Sequence, residues 1–361
     1  MTAEREKTVL NPREYCFWCM NRLPSADAVC RMCGRDNKTR QNNEGELPFA
    51  LLAGKYLIGH ALGRGGFGIT YVGLNTLLEK RVAIKEYFPA DIAVRGADGI
   101  NVMPASAETE IQFNYGKQRA LEEARITARV ANVSNVVGVY DCFGRNNTIY
   151  IIMEYIDGET FASYAARKGP FAWKEIWPRM KPVGTALGQL HQLKLIHRDI
   201  SPDNIMIRRD NDQSVLLDFG AASGIVAEGQ ESETALKDGY APLEQYQRTG
   251  INGRADEYAW SATLWFMLTG RRPPNAQQRN AQQTDPVFPR KYRRKVPEHV
   301  RKALLKGMAV RQEDRYPAME ELVAALDVGE TEFSVPMKVL AGIAAAFLLI
   351  TVSALIAGIL L

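Results

Sequence analysis

Residues 197–204 read His197-Arg198-Asp199-Ile200-Ser201-Pro202-Asp203-Asn204, and a second acidic turn, Asp218-Phe219-Gly220, follows them. Phosphoryl transfer needs a carboxylate beside the incoming hydroxyl group and oxygen ligands that hold Mg²⁺ against the phosphates. Asp199 suits the first task, and Asn204 and Asp218 suit the second. The apolar residues 215–217 predict a strand that ends at Asp218. One acidic turn is weak support, but two in this order predict a magnesium-dependent phosphate site.

A glycine-rich loop lies upstream, and its glycines are Gly63, Gly65, Gly66 and Gly68. The loop separates two runs of alternating apolar residues, 56–62 and 69–72, which predict a pair of strands. Glycines allow backbone amides to approach phosphate oxygens without a Cβ in the way. An ordinary hairpin turn has the same composition, so the loop alone is weak support. A β-rich run then ends in Lys85, whose ammonium group is suited to the α- and β-phosphates.

From residue 56 to about residue 326, these motifs resemble those of bacterial serine/threonine protein kinases of the eukaryotic type. The resemblance implies an α+β, bilobal protein-kinase fold with a β-rich N-lobe and a helical C-lobe. It also implies ATP as the phosphate donor, Mg²⁺ or Mn²⁺ as the metal, and cytoplasmic proteins as substrates.

The resemblance assigns roles to residues around the nucleotide. A helix is expected from about residue 112 to 130, and Glu123 on it would pair with Lys85. Its neighbour Glu122 is the alternative, because helix phase does not distinguish the two. Around the adenine, the implied residues are Ala83, the gatekeeper Met153, and Glu154 and Ile156 of the hinge, residues 154–156.

Further implied residues stabilise the C-lobe. Glu244 would form a buried ion pair with Arg315, and Asp256 would anchor the catalytic loop, residues 197–204. Removing one partner of such a pair leaves a buried charge uncompensated, which makes the pair important for stability.

Ser201 departs from the family pattern, because most serine/threonine kinases have a lysine there that neutralises the transferred phosphate. Lys237 stands three residues before Tyr240, where the family usually has a threonine. We hypothesise a swap in which Lys237 reaches the catalytic loop and Ser201 supplies the hydroxyl group. The alternative is a Lys237 that is simply exposed. The absent lysine also motivates a rival function, a pseudokinase that serves as a nucleotide-binding signalling scaffold.

Arg198 directly precedes the catalytic aspartate and bears on regulation. A cation at this position can pair with a phosphate on the activation segment and order it. The candidate acceptors are Ser223, Ser232 and Thr234, so autophosphorylation is expected. The alternative is that Arg198 only braces the loop.

Two CxxC pairs near the amino terminus predict a metal site, and their members are Cys16, Cys19, Cys30 and Cys33. Four thiolates at this spacing favour a tetrahedral Zn²⁺ site of the zinc-ribbon type. Disulfides and a rubredoxin-like iron site are the alternatives. A reducing cytosol, which ATP chemistry requires, favours the metal over disulfides. Residues 15–36, the Cys₄ unit, have almost no core and should fold only around the metal.

Residues 339–361 contain no charged side chain, which predicts a transmembrane helix at 338–361. A buried core helix is the alternative. The kinase requires cytosolic ATP, so the expected location is the cell membrane, single-pass, with the kinase domain on the cytoplasmic side. The chain is then either tail-anchored or continued by an extracytoplasmic portion. Ala354 and Gly358 form a small-xxx-small pattern that is compatible with a homodimer.

Length and charge agree with this division of the chain. The expected units are a tail at 1–14, the Cys₄ unit at 15–36, a linker at 37–54, the kinase domain at 55–326 with lobes at 55–156 and 157–326, a juxtamembrane linker at 327–337, and the helix at 338–361. The 361 residues suffice for a two-lobed core. A net charge of +4 is too small to suggest nucleic acid as a partner.

Overall fold

Strands dominate the amino-terminal half of the fold and helices the carboxyl-terminal half. The computed structural model describes residues 11–218 and 236–327. The strands are β1 (Leu51–Leu52), β2 (Tyr56–Gly65), β3 (Gly68–Asn75), β4 (Lys80–Tyr87), β5 (Ala93–Arg95), β6 (Val102–Pro104), β7 (Val139–Arg145), β8 (Thr148–Glu154), β9 (Gly158–Thr160), β10 (Ile205–Arg208) and β11 (Ser214–Leu216). The helices are α1 (Glu110–Arg129), α2 (Phe161–Lys168), α3 (Trp173–Gln192), α4 (Leu243–Gln247), α5 (Arg254–Thr269), α6 (Ala276–Gln282), α7 (Glu298–Gly307) and α8 (Met319–Asp327).

The N-lobe is built on one antiparallel sheet with the strand order β1-β2-β3-β4-β8-β7. Side chains alternate between its two faces along each strand. On one face, Ile69, Tyr71 and Ile84 are fully buried in an apolar core that helix α1 closes with Phe113. The other face carries Lys85, which contacts residues of the C-lobe.

Helix α1 begins two residues before the predicted start and ends one residue before the predicted end. It rests against β7 and β8 of the sheet. At its carboxyl end, Ile126 and Val130 join the core of the C-lobe instead. The helix therefore links the two lobes, and Glu123 lies on it between these contacts.

The long connection between β4 and α1 folds as a hairpin of β5 and β6. Arg95 of this hairpin binds the carboxylate of Glu86 through two hydrogen bonds of 2.8 and 2.6 Å, and Glu86 is completely buried. The hydroxyl groups of Tyr71 and Tyr150 also donate to Glu86. The hairpin is thus fastened to the strand that carries Lys85.

The C-lobe packs its helices around α3 and α5. Trp173 and Trp177 of α3 stack with their ring centroids 4.7 Å apart, and Trp260 of α5 meets Trp177 edge-on. Nearly every residue of α5 is buried, which agrees with its mostly apolar sequence. The small sheet β11-β10-β9 packs Ile205, Ile207 and Leu216 into this core, and its strand β11 precedes Asp218.

The amino-terminal connection is more ordered than the predicted tail and linker. Within residues 37–54, Asn37 and Leu47 are buried, and β1 pairs with β2. Backbone amides of Leu23 and Asp27 bind the carbonyl groups of Glu14 and Arg13. The Cys₄ unit therefore includes the end of the predicted tail, and the predicted linker is packed on the N-lobe because its apolar residues pair with the sheet.

The predicted transmembrane helix, 338–361, and most of the juxtamembrane linker lie outside the described residues. Within 11–218 and 236–327, none of the helices has the length and apolar character needed to cross a bilayer.

Candidate active site

The catalytic loop brings Asp199 and Asn204 into direct contact. A 3₁₀ turn at Pro202–Asn204 folds the loop back, and the Asn204 Nδ2 group donates to the Asp199 carboxylate at 2.7 Å and to the Asp199 carbonyl at 2.8 Å. Because Nδ2 is committed to Asp199, Oδ1 is the side-chain atom of Asn204 that remains for a metal. An amide oxygen is a suitable ligand for Mg²⁺.

Hydrogen bonds of Leu217 place Asp218 beside this loop. The Leu217 amide donates to the Asn204 carbonyl at 2.8 Å, and His197 Nε2 lies 2.9 Å from the Leu217 carbonyl. Asp218 follows in a left-handed conformation, with φ at +53°. A non-glycine residue in that region is held there by its surroundings, often at functional sites. Asp218, the first residue of the second acidic turn, therefore lies beside the catalytic loop.

Asp256 at the start of α5 holds the catalytic loop from beneath. Its carboxylate, which is completely buried, accepts hydrogen bonds of 2.8 Å from the backbone amides of His197 and Arg198, and contacts His191 Nε2 at 2.8 Å. Arg198 has a φ of +66°, so these bonds stabilise a strained backbone. The anchoring role expected for Asp256 is confirmed.

Two contacts to this region were not expected from the sequence. Gln245 donates to the Arg198 carbonyl at 2.7 Å, and His191 contacts Asp256 as described above. Glutamine and histidine at such spacings occur in many surface helices, so nothing in the sequence marked them.

Lys85 joins the two lobes through two carboxylates. Its Nζ atom lies 2.8 Å from Glu123 Oε1 and 2.7 Å from Asp218 Oδ1. Glu123, and not the exposed Glu122, faces Lys85. The arrangement matches the lysine–glutamate pair that places a lysine on the α- and β-phosphates.

The charges in this cleft perturb one another. Burial disfavours the charged form of Lys85, but Asp218 and Glu123 outweigh it and raise the Lys85 pKa above its usual range. Burial raises the pKa of Glu123 to about 7, with Lys85 opposing the shift. Burial also raises the pKa of Asp199, against the effect of Lys237. An acid with a raised pKa in a cleft is typical of proton-transfer sites.

Lys237 reaches the catalytic loop. Its Nζ atom lies 3.0 Å from Ser201 Oγ and 3.0 Å from Asp199 Oδ1. A tight turn fixes its backbone, since the amides of Tyr240 and Ala241 both bind the Lys237 carbonyl at 3.0 Å. Ser201 itself is fully buried. A cation therefore lies beside the predicted catalytic base.

The glycine-rich loop forms the turn between β2 and β3. A Cβ atom at Gly63, Gly65 or Gly66 would meet nothing within 4 Å, so the backbone there is open to a ligand. Gly68 is different, because its Cβ would lie 2.2 Å from the Glu86 carbonyl oxygen. This glycine permits the close approach of β3 to β4.

Apolar side chains of the sheet and the hinge line the expected adenine site. Ala83 and Met153 are direct partners in the sheet. Ile156 of the hinge is buried in a cluster with Val137 and Val215, and Met153 packs against that cluster. The Glu154 side chain pairs with Arg208, so the base is left to the backbone of the hinge.

The predicted phosphate acceptors Ser223, Ser232 and Thr234, and also Phe219 and Gly220, lie outside the described residues.

The expected ion pair in the C-lobe is confirmed, since Arg315 donates to both carboxylate oxygens of Glu244, at 2.6 and 3.1 Å, and both residues are buried.

The side chains of the four cysteines in the Cys₄ unit converge on one point. Their Sγ atoms all lie within 4.8 Å of one another, and the pairs Cys16–Cys33 and Cys19–Cys30 are each 3.6 Å apart. Tetrahedral zinc with Zn–S bonds of about 2.3 Å sets its thiolates roughly 3.8 Å apart. All four are free cysteines, and the site therefore fits the geometry of a Cys₄ metal centre.

Comparison with known proteins agrees with these motifs. A family model described as protein kinase domain matches residues 56–324. PknE of Mycobacterium tuberculosis, a serine/threonine-protein kinase, is 29% identical over 75% of this chain and 45% of its own length. Serine/threonine-protein kinase B of Synechocystis is 28% identical over 69% of this chain and 40% of its own length. This chain thus spans about two fifths of the length of such relatives.

A solved structure described as the apo form of PpkA-294 shares the fold. It is 30% identical to this chain, with a TM-score of 0.68, and the match covers 78% of this chain and 99% of that one.

Proposed function

Because this chain belongs to the protein kinase family, we propose that it transfers the γ-phosphoryl group of ATP to serine or threonine hydroxyls of cytoplasmic proteins. The family match and the relatives confirm the predicted serine/threonine protein kinase domain and its two lobes. One observation carries the proposal of activity. Lys85, Asp199, Asn204 and Asp218 are connected through short contacts across a single cleft.

Each of these side chains has a task in the transfer. Asp199 would accept the hydrogen bond of the incoming hydroxyl group and take its proton as the new phosphorus–oxygen bond forms and the bond from the γ-phosphorus to the leaving oxygen of ADP breaks. Lys85, oriented by Glu123, would neutralise the α- and β-phosphates. Asn204 and Asp218 would hold Mg²⁺ or Mn²⁺, which when bound offsets the negative charge of the triphosphate. The backbone of the glycine-rich loop would cover the phosphates.

Lys237 would supply the cation that the catalytic loop lacks. In the family pattern, a lysine at the position of Ser201 neutralises the transferred phosphate. Here Lys237 lies 3.0 Å from both Ser201 Oγ and Asp199 Oδ1, so it brings a positive charge to the catalytic loop from another segment of the chain. Since Lys237 belongs to the activation segment, the position of that segment would control when the cation is in place.

The rival function is a pseudokinase that binds nucleotide and serves as a signalling scaffold. Its motivation was the missing lysine at Ser201. The contact of Lys237 with the catalytic loop removes much of that motivation, and we favour activity for this reason.

The proposal is tested by incubating the purified chain with γ-labelled ATP, Mg²⁺ and a generic protein acceptor. We expect label on serine and threonine, both on the acceptor and on the chain itself, and none on tyrosine. The Asp199→Asn variant is the control and should transfer almost nothing. Nucleotide binding without transfer by the wild-type chain would instead establish the scaffold.

Zinc is the metal that we propose for the Cys₄ unit. Support comes from four free thiols whose Sγ atoms all lie within 4.8 Å of one another. Asn21 adds a hydrogen bond from Nδ2 to Cys19 Sγ at 3.2 Å, the kind of outer contact that stabilises a metal-bound thiolate. Elemental analysis should find one zinc per chain, and replacing Cys19 by serine should remove it. Iron instead of zinc would give the visible absorption of a rubredoxin-like site.

Anchoring in the cell membrane by residues 338–361 remains part of the proposed function. Its support is the uncharged sequence of residues 339–361. Fractionation of cells should place the full chain in the membrane pellet and a chain ending at residue 327 in the supernatant. A full chain in the supernatant would contradict the anchor.

A further inference from the structure

The Cys₄ unit packs on the face of the N-lobe sheet that carries the nucleotide residues. Ala83 and Lys85 alternate along β4 and share that face, and Val72 is the direct partner of Ala83 on β3. Val72 is completely buried in an apolar cluster with Met20 of the Cys₄ unit. The Cys₄ unit therefore contacts the sheet at Val72, the direct strand partner of Ala83, and Ala83 is expected to line the adenine site.

The same apolar cluster reaches the hinge. Its buried members are Met20, Leu57, Val72 and Leu74, and Tyr15, Phe49 and Tyr155 pack against them. Tyr155 is the middle residue of the hinge, between Glu154 and Ile156, whose backbone groups are expected to bind the adenine. One cluster thus joins a metal-site loop, the sheet and the hinge.

Backbone contacts hold the unit close to β2. The His60 amide donates to the Phe17 carbonyl at 2.8 Å, at a place where the pairing of β2 with β3 shifts register. Gly59 lies under this contact, and a Cβ atom there would approach Met20 Cε to 2.0 Å and the Phe17 carbonyl oxygen to 2.5 Å. The approach is close enough to require a glycine.

Met20 occupies a strained position in the metal-site loop. The two CxxC loops have the same hydrogen bond, from Met20 to the Cys16 carbonyl and from Gly34 to the Cys30 carbonyl, each 2.8 Å. Met20 and Gly34 both have left-handed backbones, with φ at +58° and +72°. Glycine adopts this conformation freely, whereas a residue with a Cβ atom adopts it only at a cost in conformational energy. The first loop accepts that cost and buries the methionine side chain to 3% exposure.

We propose that the Cys₄ unit is a positioning element of the nucleotide site, which presses Met20 against the sheet and the hinge and so strengthens the binding of ATP. The inference rests on the proposed nucleotide cleft and on the proposed metal. The metal fixes the loop that presents Met20, so loss of the metal weakens nucleotide binding. Coupling between two sites is reciprocal, so bound nucleotide strengthens metal binding by the same factor.

The Met20→Gly variant separates positioning from folding of the metal site. Glycine relieves the left-handed strain, so one zinc per chain is retained, while the contact with the sheet is lost. We expect the dissociation constant and the KM for ATP to rise about 10-fold, with kcat changed less than about twofold. Met32→Ala is the control, because Met32 lies in the second loop and is 75% exposed, and it should behave as wild type. Wild-type ATP affinity in zinc-loaded Met20→Gly would overturn the inference.

A second measurement does not depend on that variant. Zinc affinity of the wild-type chain is measured by competition with a chromogenic chelator, with and without saturating ADP. We expect ADP to raise the affinity about 10-fold. Equal zinc affinity with and without ADP would overturn the inference while leaving the proposed kinase intact. Failure of the wild-type chain to bind ADP would overturn the proposed function as well.

Discussion

At the residue scale, Lys237 gives the sharpest test of the catalytic loop. Replacing it by alanine removes the charge that lies 3.0 Å from Asp199 and Ser201. Loss of one preorganised charge at a transferring group lowers kcat by about 10²–10³-fold, and we expect that loss with little change in the KM for ATP. Steady-state kinetics with a protein acceptor measures it.

A double variant provides the control for Lys237. Ser201→Lys with Lys237→Thr restores the arrangement that most of the family has, and we expect it to recover most of the lost kcat. If Lys237→Ala has the activity of an exposed-lysine variant such as Lys302→Ala, Lys237 has no part in transfer. Lys302 is suitable because its side chain is 75% exposed on α7.

Glu257 on α5 makes stability depend on pH. It is completely buried, and among the described residues neither carboxylate oxygen has a hydrogen-bond partner. Burial raises its pKa from 4.5 to about 8. Between about pH 4.5 and pH 8, the folded chain therefore keeps a proton on Glu257 that the unfolded chain releases. The contribution of Glu257 to stability is full below about pH 4.5 and is lost as the pH rises through 8. Glu257→Gln removes this dependence.

The size of this effect follows from the cost of a buried unpaired charge. We expect Glu257→Gln to be about 1–3 kcal/mol more stable than wild type at pH 8.5, and nearly equal to it at about pH 5. Urea denaturation at both pH values measures the difference. If the free energy of unfolding changes equally with pH in the two proteins, Glu257 is ionised, or paired, in the folded chain.

Most site residues could be found from the sequence because their roles require one residue type at one spacing. Asp199, Asn204 and Asp218 are examples, and the structure brings them together. The choice between Glu122 and Glu123 could not be made, because both lie on one turn of α1 and a rotation of the helix exchanges them. Met20 could not be found either, since its conformation is unusual for its residue type.

At the scale of single elements, helix α1 determines whether the lysine–glutamate pair forms. Glu123→Gln leaves Lys85 with Asp218 as its remaining charged contact in the cleft, and we expect kcat/KM for ATP to fall on the order of 10²-fold through misplacement of Lys85. Glu122→Gln is a matched control one residue away on the exposed face. Equal losses of kcat/KM in the two variants would contradict the specific pairing of Glu123 with Lys85.

The β5–β6 hairpin should contribute to stability through Arg95. Among the described residues, Arg95→Met would leave the buried Glu86 with the hydroxyl groups of Tyr71 and Tyr150 as its donors. A buried charge that loses its partner lowers the free energy of unfolding by about 3–5 kcal/mol. We expect a loss of about 3 kcal/mol, because the two hydroxyl donors remain. Chemical denaturation measures it, and adding Glu86→Gln should recover most of the loss. A loss below about 1 kcal/mol would contradict the ion pair as the fastening of the hairpin.

The strands on either side of the glycine-rich loop and the helix that carries Glu123 could be predicted from apolar periodicity, but the hairpin could not. Its strands have three residues each, too few for a period-2 pattern to stand out. The buried pairing of Arg95 with Glu86 is a tertiary contact that no local pattern encodes.

At the scale of the whole molecule, the sequence predicted separate units, whereas the described residues show the Cys₄ unit packed on the kinase sheet. The cysteine spacing predicts the metal site without regard to what surrounds it. The packing brings Gly59 against Met20 and Phe17, a tertiary contact that no local sequence pattern encodes. If the unit is positioned as proposed, removal of the metal and loss of nucleotide affinity should coincide.

The central claim is that Lys85, Asp199, Asn204 and Asp218 form one catalytic centre. Initial rates of transfer from γ-labelled ATP test it most directly, with the wild-type chain, Lys85→Met, Asp218→Asn and the double variant. Residues that act as a unit are not additive, so each single variant should lose about 10³-fold or more and the double variant no more than the worse single one. Transfer by Asp218→Asn at the wild-type rate, or none by the wild-type chain, would contradict the claim.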